Sequence, residues 1–176
     1  MTTRTGNIYL CGMIGSGKTT IGQRLAAELE LPFTDLDREM DRILGYSFHR
    51  LVREKGWVAF RELEYSICKR LARRERVLIC LGGGTVRYEW NMDVLRGTGF
   101  FVLLTASLDE LVRRVRNEQR PRLNEGTTLE EDLRTVWEQS EEKYRRAADV
   151  VADTDGKTIE AVVAELQPVV RRYLSG

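Results

Sequence analysis

The 176 residues contain a single histidine, His49. One imidazole cannot build a histidine-rich metal site, and nothing near it in sequence would orient it as a base. Cysteine is equally scarce: Cys11, Cys68 and Cys80 are odd in number and far apart, which argues against a disulfide framework. Cys11 and Cys80 fall inside apolar runs, where a thiol acts as a small hydrophobe, and a reducing cytoplasm is the expected location. Charge of one sign is not in excess. Lysine and arginine number 28 against 27 acidic residues, a formal net charge of +1, so no global field favours nucleic acid. No apolar run approaches the length of a membrane span. Residues 1–6 lack the apolar segment of a signal peptide. Apolar content of 42% nevertheless suffices for a sizeable core, and one soluble domain over 1–176, acting as a monomer, is expected.

The stretch that is present and specific is Gly12-Met13-Ile14-Gly15-Ser16-Gly17-Lys18-Thr19. It fits G-x-x-x-x-G-K-[ST], the phosphate-binding P-loop pattern. The apolar run Asn7-Ile8-Tyr9-Leu10-Cys11 before it reads as a buried strand, and Ile21, Leu25 and Leu29 after it recur at helical spacing. Strand, loop and helix in that order let backbone N–H groups and a helix N-terminus converge on an anion. Lys18 reaches the β- and γ-phosphates of a nucleotide, and the Thr19 hydroxyl can ligate Mg²⁺.

Further along, Leu31-Pro32 ends the first helix, and Phe33-Thr34-Asp35-Leu36-Asp37 reads as a second strand. On a strand, residues i and i+2 face one way, so Asp35 and Asp37 are expected to point together, one toward Mg²⁺ and one toward a substrate hydroxyl. Residues 38–54 are helical in pattern, with a stop at Gly45, and Gly56 breaks the pattern before Trp57. Leu63, Ile67 and Leu71 mark an amphipathic helix with Arg61 near its start. The run 77–81 predicts a strand buried on both faces, ending in Gly82-Gly83-Gly84, where a ligand can approach the backbone closely. A short helix over 88–95 and a strand over 100–104 follow. Ser107-Leu108-Asp109-Glu110 and Thr128-Leu129-Glu130-Glu131 read as capping boxes. Arg113, Arg114 and Arg116 read as a solvated face. Between those helices, 117–128 holds Arg120, Pro121 and Arg122 with one large apolar residue, Leu123, and reads as a mobile lid. A short edge strand at 149–152 and a last helix, interrupted near its end by Pro168, complete the chain. The βα alternation predicts a three-layer α/β fold, a five-stranded parallel sheet flanked by helices, with ligands at the carboxyl ends of the strands.

The strand over 77–81 ends in glycine rather than the acid that a typical P-loop NTPase places there for its metal. Asp35 is then the best metal carboxylate. A phosphate cradle, a metal carboxylate, a second carboxylate, a glycine-lined pocket and lid arginines together make a small-molecule kinase.

Over nearly its whole length the sequence resembles the shikimate kinases. The resemblance rests on 12–19; Phe33-Thr34-Asp35-Leu36-Asp37; Phe60-Arg61-Glu62-Leu63-Glu64; 77–81 with Gly82–84; and Arg120-Pro121. It implies ATP-dependent phosphorylation of the shikimate 3-hydroxyl, on the route to chorismate and the aromatic amino acids, with Mg²⁺. By position, Gly12, Gly15, Ser16, Gly17, Lys18, Thr19 and Thr20 would bind the nucleotide, Thr19 and Asp35 the metal. Asp37, Arg61, Gly82, Gly83 and Gly84 would bind shikimate, Arg61 through its carboxylate. Lys18, Asp37 and Arg120 would serve catalysis. Arg120 would close over ATP, and Lys157 would pack near the adenine.

One position departs from that pattern. Shikimate kinases usually carry a second substrate arginine four residues before a tyrosine on the helix after the lid; here Tyr144 is preceded by Ser140. A lost charge-assisted hydrogen bond is worth about 1.5–3 kcal/mol. Arg122, Lys143, Arg145 and Arg146 are candidate substitutes, although helical spacing makes neither Lys143 nor Arg145 an obvious one. Ser140 keeps open a kinase for another small hydroxy acid or polyol, and a nucleotide-binding regulatory protein without kinase activity is the third reading.

Overall fold

The structure, a computed structural model, describes residues 6–118 and 120–176. Residues 1–5 lie outside it, with most of the stretch read for a signal peptide, and so does Gln119, within the segment expected to form a lid. Strand β1 (Asn7–Cys11) leads into α1 (Lys18–Glu28), then β2 (Phe33–Asp35), α2 (Leu36–Leu44) and α3 (Phe48–Leu71). These are followed by β3 (Leu78–Cys80), a 3₁₀ turn at Thr85–Arg87, α4 (Glu89–Leu95) and β4 (Gly99–Thr105). The chain continues through α5 (Leu108–Val115), α6 (Leu129–Ala147), β5 (Val150–Asp153) and α7 (Ile159–Ser175). The five strands form one sheet in the order β2-β3-β1-β4-β5, every pairing parallel.

Period-two alternation sends each apolar strand to both faces, which explains the unbroken apolar runs. Tyr9, Cys11, Ile79, Phe101 and Leu103 join one core with α2 to α6. Ile8, Leu10, Leu78, Cys80, Val102 and Leu104 join the other with α1 and α7. β1 is the middle strand and β5 an edge strand. The carboxyl ends of β1, β2 and β3 therefore open together, and the P-loop, Asp35 and the three glycines follow directly from them.

Three local expectations are corrected. The second strand stops at Asp35, because that side chain caps α2: its Oδ1 accepts hydrogen bonds from the Asp37 amide at 3.0 Å and the Arg38 amide at 3.2 Å. Asp37 thus lies in the first helical turn, and strand alternation is not what places it beside Asp35. Pro168 does not interrupt α7. It sits on the exposed face while Leu166 and Val170 are pinned in the core on either side. The Ser107 box is half formed: its hydroxyl caps the Glu110 amide at 3.4 Å, but its own amide goes to Asp155 at 2.9 Å. Thr128 and Glu131 do make the reciprocal pair. Gly45 ends α2, and Gly56, at φ 81° and ψ 176°, breaks α3 into two helical segments.

Candidate active site

Gly12 has φ +143°, and a Cβ there would stand 2.3 Å from the Leu104 carbonyl oxygen, so only glycine fits the start of the loop. Gly15 and Gly17 also carry positive φ, and α1 begins at Lys18 directly after them. This geometry turns the loop over the helix N-terminus. The Lys18 ammonium folds back onto the Gly12 and Met13 carbonyls, 2.9 Å from each, and its burial lowers its pKa. The Ser16 hydroxyl is buried without a hydrogen-bond partner among the described residues. Thr19 Oγ1 donates to Asp35 Oδ2 at 2.7 Å. A hydroxyl and a carboxylate in contact at the loop's end are hard oxygen donors that suit Mg²⁺, so the expected metal pair fits.

A cleft opens beside the loop. Asp37, Arg61, Gly83, Gly84 and Arg120 line it together. Burial chiefly, and then the Asp35 charge, push the Asp37 carboxyl up to about 6, with Lys18 pulling the other way. A Cβ at Gly82 would lie 3.0 Å from Asp37 Oδ1, and one at Gly84 2.9 Å from Arg61 Nη2. The glycines let both functional side chains lie against the backbone. Arg120 pairs with Glu118 and reaches the cleft beside Pro121. Asp132 ties this segment to α6 by accepting from the Leu123 amide at 3.3 Å and the Asn124 amide at 2.9 Å. His49 also lines the cleft, its pKa lowered by burial first and then by Arg120.

Arg61 is held from several sides. Its Nη1 donates to Glu64 Oε2 at 2.8 Å, and its guanidinium carbon lies 4.7 Å from the Phe60 ring centre and 4.4 Å from that of Tyr88. Glu64 is fully buried and also accepts from Thr85 Oγ1 at 2.8 Å and Asn91 Nδ2 at 3.1 Å. A buried carboxylate with one cation and two neutral donors is a satisfied anchor. Glu64 lies within the sequence motif, but sequence alone does not reveal its role. The available signal was a glutamate in phase with Phe60, Ile67 and Leu71 on the apolar stripe of α3.

Some expectations separate from this cleft. Thr20 and Lys157 border a different groove, with Gly17 and Arg114, and Lys157 pairs with Glu165 at 2.7 Å. Arg114 is not part of a solvated face. It donates to the Gly15 carbonyl and to Thr154 Oγ1, both at 3.1 Å, and so ties the P-loop to the segment after β5. None of Arg122, Lys143, Arg145 and Arg146 lines the cleft. Lys143 donates to the Arg87 carbonyl at 3.1 Å, Arg145 to Glu141 at 2.8 Å, and Arg146 to Glu89. The cation beside Ser140 is instead Arg87, whose Nε donates to Ser140 Oγ at 2.8 Å.

The family model for shikimate kinase matches residues 14–171. A shikimate kinase of Chlorobium luteolum is 35% identical over 175 residues, spanning 95% of this chain and 86% of its own length. One of Chromohalobacter salexigens is 37% identical over 160 residues, spanning 90% and 88%. Among solved structures, the shikimate kinase of Acinetobacter baumannii in complex with shikimate superposes with a TM-score of 0.90 at 26% identity, covering 97% of this chain and 95% of that one. Sequence, fold and the placing of the P-loop beside a carboxylate and a buried guanidinium agree: this chain belongs to the shikimate kinase family.

Proposed function

We propose that the protein transfers the γ-phosphoryl group of ATP to the 3-hydroxyl of shikimate, giving shikimate 3-phosphate for the route to chorismate and the aromatic amino acids. The observation that carries the reading is one cleft in which Asp37, Arg61 and Arg120 meet at the mouth of the P-loop. A hydroxyl acceptor, a carboxylate and a phosphoryl donor each find a complementary group there.

The P-loop amides and Lys18 hold the β- and γ-phosphates. On nucleotide binding, Lys18 exchanges its two carbonyl partners for phosphate oxygens. Thr19 and Asp35 would hold Mg²⁺, which would neutralise phosphate charge. Asp37 accepts the hydrogen bond of the 3-hydroxyl and takes its proton as the new P–O bond forms. Its raised pKa makes it a better acceptor near neutral pH than an ordinary carboxylate. Arg120 sits over the equatorial oxygens of the transferring group. Because such transfer is governed by positioning and charge stabilisation, these groups need only be well placed. Arg61 fixes the substrate through its carboxylate, and Glu64 keeps Arg61 in place. Thr20 and Lys157 border the groove for the adenine end of ATP.

Residues 1–176 act as one kinase domain with 117–128 as its lid, and the protein works as a monomer in the cytoplasm. Among the described residues no helix is long and apolar enough to cross a membrane, and the three cysteines are free and buried, as suits a reducing compartment. The reading is tested by coupled ADP release with Mg²⁺-ATP, comparing shikimate with other small hydroxy acids and polyols. Shikimate should give by far the highest kcat/KM. Turnover on a different hydroxyl, with none on shikimate, would transfer the assignment to that substrate.

A further inference from the structure

Ser140 stands where the resemblance leads one to expect an arginine, and this leaves a question about charge that the cleft itself answers. Arg87 follows the glycine run by three residues, in the 3₁₀ turn, and lines the same cleft as Arg61. Its Nε is engaged by Ser140, which is 2% exposed on α6. Its Nη1 is buried and has no hydrogen-bond partner among the described residues, and the same is true of Arg61 Nε. Both guanidiniums approach the Tyr88 ring, Arg61 at 4.4 Å and Arg87 at 6.0 Å from its centre. Two cations on one cleft, each with an unpaired buried donor, call for an acceptor with two oxygens.

We propose that Arg87 is the second binding residue for the substrate carboxylate, its guanidinium reaching the cleft from the turn after the glycine run, with Ser140 orienting it. A short hydroxyl at 140 leaves room for this guanidinium and accepts its Nε–H, which directs the Nη edge into the cleft. The Lys143 ammonium on the Arg87 carbonyl and the Tyr144 hydroxyl on the Gly83 carbonyl hold the turn against α6. The charge is thereby kept while its place in the chain changes. This inference rests on the shikimate reading above and names the group that completes its carboxylate site.

The test is steady-state kinetics of the full chain with Mg²⁺-ATP and two acceptors, shikimate and its neutral primary carboxamide. In Arg87→Met the KM for shikimate should rise about ten- to a hundredfold. The KM for ATP should hold, and the preference for carboxylate over carboxamide should shrink by about tenfold or more. A purely structural role would depress both acceptors alike and leave the preference intact. Arg87→Gln is read the same way should the methionine variant not fold. The double variant Arg87→Ser with Ser140→Arg, which returns the cation to α6, should recover most of the lost preference. An unchanged shikimate KM and preference in the Arg87 variants, with the parent enzyme active on shikimate, overturns this inference alone. A parent enzyme that neither binds nor phosphorylates shikimate overturns the substrate reading and this inference together.

Discussion

Asp37→Asn should make the protein more stable and much less active, and the stability gain should depend on pH in one direction only. Folding pushes the Asp37 carboxyl from 3.8 up to about 6, chiefly because burial penalises the ionised form and Asp35 repels it. Each pH unit corresponds to about 1.4 kcal/mol, so full ionisation costs at most about 3 kcal/mol. The group is partly exposed, and solvent screening reduces this to about 1–2 kcal/mol. Asparagine has nearly the same shape and no charge, so it removes the cost. For a chain of this size that corresponds to a rise in Tm of about 3–6 °C at pH 8. The sign follows from proton linkage. The carboxyl binds its proton more tightly folded than unfolded, so its stabilising contribution is present below about pH 4 and is lost as pH rises through about 6. The advantage of the variant is therefore full only well above pH 6, shrinks as pH falls through that range, and is small near pH 4. Calorimetric melts of parent and variant at pH 5 and pH 8 measure it, and ADP release measures turnover, which should fall by about two orders of magnitude or more. A variant that is less stable than the parent at pH 8, or whose advantage is the same at both pH values, would refute the burial argument. Near-normal turnover would remove Asp37 from the chemistry.

Lys18→Ala should abolish most turnover and weaken ATP binding, since the loop amides alone cannot neutralise the γ-phosphate; near-normal activity in the coupled assay would contradict the P-loop reading. Arg61→Ala should raise the shikimate KM about ten- to a hundredfold with a smaller effect on kcat, and an unchanged KM would sink the carboxylate assignment. Gly84→Ala should raise the same KM, because its Cβ would stand 2.9 Å from Arg61 Nη2 and displace the guanidinium; kinetics identical to the parent would show that Arg61 is not seated against that backbone.

The sheet and its helices were legible because the signals are local. Unbroken apolar strands, helical spacing and the P-loop each occupy a few consecutive residues, and the observed order of elements follows them. The P-loop turn before α1 was legible for the same reason. Asp37 was legible as a carboxylate facing the site beside Asp35, but its conformation was not, because the sequence does not reveal that the Asp35 side chain would cap a helix and end the strand two residues early. Glu64 and Arg114 escaped because their roles depend on partners 21 to 99 residues away, Thr85, Asn91 and Gly15 among them. Arg87 was not legible because only the lid and α6 lie near position 140 in sequence. The substitute lies 53 residues earlier and meets Ser140 only in the folded chain.

The central claim is the transfer of phosphate to one hydroxyl of shikimate, and ³¹P and ¹H NMR of the reaction mixture tests it directly. With Mg²⁺-ATP and shikimate, the account predicts stoichiometric loss of the γ-phosphate signal and a new phosphomonoester coupled to the proton on carbon 3. A phosphomonoester on another carbon, or inorganic phosphate with shikimate unchanged, would contradict it.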